Sequence, residues 1–376
     1  MSDLWILAGQ SNMEGYGKMR DVESPSPNIR SFAHGDCWKI AEEQLHWLPD
    51  ALDDVHHPGI VDEALEKARS KYRLERKTGS GLGLTFEKAV SERVGIDIDL
   101  LPVAQGGTTM SQWSSELKHL GGRSLFGAML RRTRLALDSG GEIRLRGLLW
   151  YQGESDANPE FSPYYLDKMV KFIDDVRAEL SYPQLPFFLV QLGCWNNDML
   201  GGDPFSISWD TVRNAQRMIP DIVPHTAVVP AIDLELEDGI HIGTEGLKRL
   251  GRRLANVAVN RVYGRQAPTG PKLKSVTKGD GFIRVSYDGV SRMLITPDPA
   301  GRVSGYSLSF GDNMPTTNPI YRSYVDPENP SDVLLFVEQP ITSDLKLYYG
   351  EGVFPFCQLA DASDMAAVAF GPVDIH

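Results

Sequence analysis

Cysteine is scarce: three in 376 residues, Cys37, Cys194 and Cys357, odd in number and far apart. That excludes a disulfide framework or a zinc knuckle as the organising device, and buried or idle thiols are the expectation. Long apolar runs are also missing. No stretch approaches the roughly 20 residues that span a bilayer, so no membrane partner is expected. Positive charge is in the minority, with 38 Lys and Arg against 50 Asp and Glu and a net charge of -12. A nucleic-acid partner needs a concentrated basic footprint, so none is expected. Two short basic clusters, Arg131-Arg132-Thr133-Arg134 and the stretch from Lys248 to Arg253, sit in helical patterns and read as solvated faces. No charged n-region or apolar h-region precedes the first strand. A cytoplasmic location is the expectation for the sequence as written, with a secreted or periplasmic one after removal of a leader as the alternative. Internal repeats are absent.

What the chain does have is alternation. Five short aliphatic runs, residues 4–8, 98–103, 145–150, 187–192 and 227–232, read as buried strands. Helical patterns lie between and after them. In 162–180, Ser162 is placed to cap, Pro163 suits the first turn, and Leu166, Met169, Ile173, Val176 and Leu180 share a face. A second helix follows Thr244, another expected cap. Strands alternating with helices imply an α/β fold with a parallel sheet covered on both faces. Near Gln266-Ala267-Pro268-Thr269-Gly270-Pro271 the texture changes. Alternating, turn-punctuated runs at 282–287, 306–310, 333–337 and 345–349 then predict a small β domain. The expected division is 1–265 and 270–376. Residues 18–82 are too long for an ordinary strand-to-helix connection and read as a substrate-side insertion with a short helix near 60–73.

In an open parallel sheet, ligands bind beyond the carboxyl ends of the strands. There the sequence is unusual: Gly9-Gln10-Ser11-Asn12-Met13 after the first strand, Gln105-Gly106-Gly107-Thr108 after the second, Tyr151-Gln152-Gly153-Glu154-Ser155-Asp156 after the third, and Asp238-Gly239-Ile240-His241 after the fifth. Acyl transfer needs a nucleophile, a base, a group that orients the base, and donors for an oxyanion. Ser11 alone would read as a helix cap, and His241 alone as a surface residue. Asp238 lies three residues before His241, within reach of one ring nitrogen while the other faces the serine. The Ser11 N–H, an N–H of Gly106 or Gly107, and the Gln152 amide fit the oxyanion. Helix capping explains Glu154 and Asp156 equally well.

The runs GQSNM, GGT followed by Trp113, WYQGESD at 150–156 and DGIH at 238–241 resemble the SGNH-type carbohydrate esterases, specifically the sialate O-acetylesterase and acetylxylan esterase group. The resemblance covers most of residues 3–262. It implies a flavodoxin-like three-layer α/β/α fold with a five-stranded parallel sheet, plus the small C-terminal β domain. It implies Ser11 as nucleophile, His241 as base, Asp238 as its partner, and Ser11, Gly106 or Gly107, and Gln152 around the oxyanion, with Gly106 favoured because it leaves Thr108 where the wider fold often has a small hydroxyl residue. It also implies an acetylated carbohydrate as substrate and no cofactor. Gln10, Asn12, Trp113, Glu154 and Trp195 are the expected substrate-binding residues, and Tyr16 is a further aromatic near the strand ends.

Other readings carry less. An α/β-hydrolase lipase needs Gly two residues after the nucleophile, where Met13 stands. The phosphate-loop pattern is missing. His56-His57 behind Asp53-Asp54 is a weak metal candidate, adjacent rather than helically spaced, and no metal is expected. A non-catalytic carbohydrate-binding protein on the same fold, or a short-chain esterase of broad specificity, remain the alternatives. The residues leave the sugar and the oligomeric state open.

Overall fold

A computed structural model describes residues 1–57, 67, 78–139, 141–196, 204–310, 318–338, 340–342 and 344–376. All five expected strands form: β1 (Ser2–Gly9), then, beyond the insertion, β4 (Asp97–Pro102), β5 (Ile143–Tyr151), β6 (Phe187–Gln191) and β7 (Thr226–Pro230). Among the described residues the sheet nevertheless has seven strands, in the order β3-β2-β4-β1-β5-β6-β7. The two extra ones, β2 (Arg30–Ala33) and β3 (Cys37–Ile40), come from the stretch expected to be irregular. β2 runs parallel to β4 and β3 antiparallel to β2, so the edge is a hairpin. Four-residue strands give too short a run for periodicity to register. Distant side chains hold this edge: Arg30 clamps Asp99 through Nε at 3.0 Å and Nη2 at 2.6 Å, and Arg132 donates to the carbonyls of Phe32 at 2.6 Å and Ala33 at 2.8 Å.

Helices cover both faces because consecutive strand residues point opposite ways. On β6, Phe187 packs with Trp150 and Phe172, while Phe188 packs with Trp5. Trp5 in turn meets Phe86 of α2 (Gly83–Val94), and Phe172 belongs to α4 (Tyr165–Leu180). Trp5, Trp150 and Phe86 are fully buried, each contributing on the order of 2–3 kcal/mol by removal of apolar surface from water. Among the described residues the other α-helices of more than one residue are α1 (Ser11–Glu14), α3 (Leu125–Asp138), α5 (Pro204–Ile222) and α6 (Thr244–Arg261). Among the described residues none is long and apolar enough to cross a membrane.

Some local expectations fail. Ser162 opens a 3-10 turn ahead of α4 and caps nothing; the Asn158 side chain accepts the nearby Glu160 and Phe161 N–H groups. Thr244 is the first residue of α6, not its cap, and donates to the Lys18 carbonyl. The basic clusters are not simply solvated: Arg132 is fully buried, and Arg253 pairs with Asp233. Each exchanged solvent for oxygen acceptors that lie far away in sequence. The expected helix near 60–73 lies outside the described residues, apart from Lys67.

Beyond α6 the chain is antiparallel. Lys272–Lys278, Phe282–Asp288, Asp332–Val337 and Ile320–Val325 make one sheet, and Tyr306–Phe310, Leu345–Tyr349 and Phe370–Asp374 another. Their apolar faces meet in a second buried cluster containing Ile283, Val285, Leu335 and Leu347, which also takes in Cys194 and Ile232 from the α/β part. No cysteine is bonded to another; Cys37 is exposed and the other two are buried.

Candidate active site

β1 turns into α1 through Gly9, whose φ is +136° and whose added Cβ would lie 2.0 Å from the Tyr151 carbonyl oxygen. Only glycine fits there, and it lets Gln10 N–H bond that same carbonyl at 2.8 Å. Ser11 is therefore delivered as the first residue of a single helical turn. Its side chain caps nothing, and its N–H finds no acceptor among the described residues. The loop after β4 crosses in front of it, with Gln105 N–H on the Gly9 carbonyl at 3.1 Å.

Ser11 and His241 line one cavity of about 380 Å³, together with Gln10, Glu14, Tyr16, Leu48, Gln105, Gly106, Gly107, Glu154, Ser155 and Ile240. Nδ1 of His241 meets Asp238 Oδ2 at 2.7 Å. The other Asp238 oxygen accepts the N–H groups of Ile240 and His241, each at 2.8 Å. Burial pushes the Asp238 carboxyl up, but these hydrogen bonds outweigh it and hold the group below its ordinary range. Tyr16 stacks on the imidazole, centroids 4.1 Å apart and 13° from parallel. No direct hydrogen bond joins the Ser11 hydroxyl to His241 here; such contacts are often long before substrate arrives.

The other expected residues divide. Gln10 lines the cavity, and its Oε1 accepts weakly from Gly153 and Ser155 N–H at 3.5 and 3.4 Å. Asn12 is buried and faces the histidine's backbone: its Nδ2 donates to the Ile240 carbonyl at 3.3 Å and to Glu154 Oε1 at 2.8 Å, and its Oδ1 accepts Ile242 N–H at 3.0 Å. Both neighbours of His241 thus hang on one amide. Glu154 lines the cavity with Oε2 buried and unpartnered among the described residues, and burial raises its pKa.

Four expectations need correction. Gln152 does not line the cavity: both its amide protons are engaged, by the Thr108 carbonyl at 2.9 Å and Asp156 Oδ2 at 2.6 Å. Gly106 does line it, but its N–H is taken by Glu14 Oε2 at 2.9 Å; the Gly107 N–H finds no acceptor among the described residues. Trp113 is fully buried, bonded to Thr108 Oγ1 and packed edge-on to Trp150. Trp195 stacks on Trp209 rather than lining the cavity. In both tryptophans, apolar area found a core before it found a ligand.

Glu14 and Leu48 escaped the sequence reading. Glu14 carries a signal after all, since three residues past Ser11 is the same helix face; Leu48, in the insertion, carries none. The His-Asp cluster of the insertion serves structure. His56 Nδ1 bonds Gln105 Oε1 at 2.7 Å, burial lowering its pKa to about 4, and Asp53 is gripped by Arg131 at 2.8 and 2.7 Å. Among the described residues, no group of three or more His, Cys, Asp or Glu is placed to hold a metal ion.

A hydroxyl and an imidazole facing one cavity, with a carboxylate behind the imidazole, can transfer an acyl group. A family model described as carbohydrate esterase, sialic acid-specific acetylesterase, matches residues 1–260. Among solved structures, a protein from Arabidopsis thaliana is 27% identical, covering 69% of this chain and 99% of its own, with a TM-score of 0.53. A carbohydrate acetylesterase from Xanthomonas citri is 19% identical, covering 98% of this chain and 80% of its own, with a TM-score of 0.69. The latter likeness, which concerns the fold alone, extends into the C-terminal region. No curated protein matches the chain.

Proposed function

The chain belongs to the sialic acid-specific acetylesterase family of carbohydrate esterases, and from that premise we propose a serine esterase that removes O-acetyl groups from a sugar through an acyl-enzyme. That it is a carboxylic ester hydrolase acting on acetylated carbohydrate follows from the family. The serine mechanism rests on one observation: the Asp238-bonded imidazole and the Ser11 hydroxyl border the same cavity.

In this mechanism His241 Nε2 takes the Ser11 proton as Oγ adds to the acetyl carbonyl. Asp238 holds the Nδ1–H and stabilises the imidazolium that forms. The carbonyl oxygen becomes an oxyanion, for which this conformation leaves open the N–H groups of Ser11 and Gly107. Collapse breaks the ester C–O bond, and the imidazolium returns its proton to the departing sugar hydroxyl. Water, deprotonated by the same imidazole, then releases acetate from Ser11. Losing an oxyanion donor typically costs on the order of 10²–10³ in turnover.

Among the described residues the lining carries the carboxyl groups of Glu14 and Glu154 and no cation. That favours a neutral acetylated sugar over one bringing its own carboxylate. The test is acetate release from p-nitrophenyl acetate, acetylated xylan and O-acetyl sialic acids by wild type and Ser11→Ala. The expected result is Ser11-dependent release, faster on the neutral sugar; equal rates for the two proteins would end the serine mechanism.

A further inference from the structure

One stretch of the C-terminal region is tied to the strand-end rim that carries His241. Arg213, in α5, is almost fully buried and 3.7 Å from Asp210. It donates to four carbonyls: Leu192 at 3.1 Å and Gly193, from the segment after β6, and Gly350 at 3.0 Å and Gly352, from the C-terminal region. One turn earlier on α5, both oxygens of Asp210 accept Gly352 N–H, at 2.9 and 3.0 Å. The two segments also bond directly. Trp195 N–H reaches the Val353 carbonyl at 2.7 Å, and the Cys194 thiol donates to Pro355 O at 3.6 Å.

The next residue carries the link inward. Asn196 N–H bonds the carbonyl of Gly239 at 2.7 Å, and Gly239 lies between Asp238 and His241. Asn12 holds the turn from the His241 side. Nothing but Asn196 is seen to hold the Gly239 carbonyl among the described residues. None of residues 350–355 lines the cavity, so any influence on chemistry passes through this chain of backbone bonds.

We infer that residues 350–355 act as a positioning element for the catalytic turn, fixed by Asp210 and Arg213 and transmitting through Trp195 and Asn196 to Gly239. This rests on His241 being the base. The family match ends at residue 260, so the element lies outside the part of the chain that carries the reaction. A buried guanidinium spread over carbonyls from both segments resists their separation, because parting them leaves buried N–H donors without acceptors.

The experiment uses the full chain with p-nitrophenyl acetate, a substrate too small to touch the C-terminal region. Asp210→Ala should lower kcat about 10-fold while KM stays within about 2-fold, the pattern of a base held out of place rather than a lost binding contact. Asp210→Asn keeps an oxygen for Gly352 N–H and should recover most of the loss. An Asp210→Ala protein that melts cooperatively with wild-type kcat, or loses only KM, overturns the inference. Amide hydrogen exchange on the wild type decides the matter even if that variant does not fold. The amides of Trp195, Asn196 and Gly352 should exchange as one group, and an Asn196 amide about 100-fold faster than the other two would show that the link is not rigid. If wild type and Ser11→Ala hydrolyse equally, the esterase reading fails while exchange still reports on the link.

Discussion

Asn12 is worth more to the histidine than to a ligand. A short amide directly after Ser11 looked like a substrate contact, yet its three hydrogen bonds go to Ile240 O, Ile242 N–H and Glu154. Asn12→Ala should therefore lower kcat on p-nitrophenyl acetate by about 10-fold or more with little change in KM, the signature of a geometry lost in the transition state rather than in binding. A rise in KM at constant kcat would return Asn12 to the substrate side. Asp238→Ala should leave more activity than His241→Ala, since water can partly replace an orienting carboxylate but not the base; single-turnover acylation rates compare the two. The Asp238–His241 pair was legible because the two lie three residues apart and bond each other; that Ser11, far away in sequence, borders the same cavity as His241 depends on the fold. Whether Gln152 or Gly106 offers a proton was not legible, because Asp156, Thr108 and Glu14 reach them only after folding.

At the scale of elements, periodicity placed the strands and the apolar faces of the helices, and missed what charge does inside them. Arg132 looked like part of a solvated face and is instead a buried staple for β2. Glu87 in α2 is fully buried with neither carboxyl oxygen partnered among the described residues, and burial pushes its pKa up to about 9. The folded state keeps this proton at pH values where the unfolded chain, near 4.5, has released it. Stability contributed by the site therefore falls as pH rises from about 4.5 towards 9, at up to about 1.4 kcal/mol per pH unit, and levels off above. Urea unfolding of Glu87→Gln against wild type between pH 6 and 9 should give a flatter dependence and a higher midpoint at pH 8. Parallel curves would show the wild-type carboxyl to be neutralised otherwise. Cap positions failed for a related reason: the hydroxyl of Thr244 found a distant carbonyl instead of its own helix end.

For the whole molecule, we propose the division at 265–270 as one of texture rather than independence. Arg249 and Arg253 of α6 share Asp233 and Asp364, the latter from the C-terminal region. Met365 packs into the larger core, and Ile232 and Cys194 pack into the smaller one. Ending the chain at residue 265 should leave Arg213 and Arg253 short of acceptors and uncover apolar surface. Expression of 1–265 is expected to give aggregate or a melting point lowered by 10 °C or more, about the effect of losing several kcal/mol. A soluble fragment that melts like the full chain would establish independence. The α/β alternation, the β texture of the end and the identities at the strand tips were already present in the order of residues, because period, turn residues and chemical type are properties of neighbours along the chain. Tertiary structure alone decided which N–H faces the cavity, which arginines are buried and which segment steadies the histidine, because each depends on partners that come together only when distant strands share a sheet.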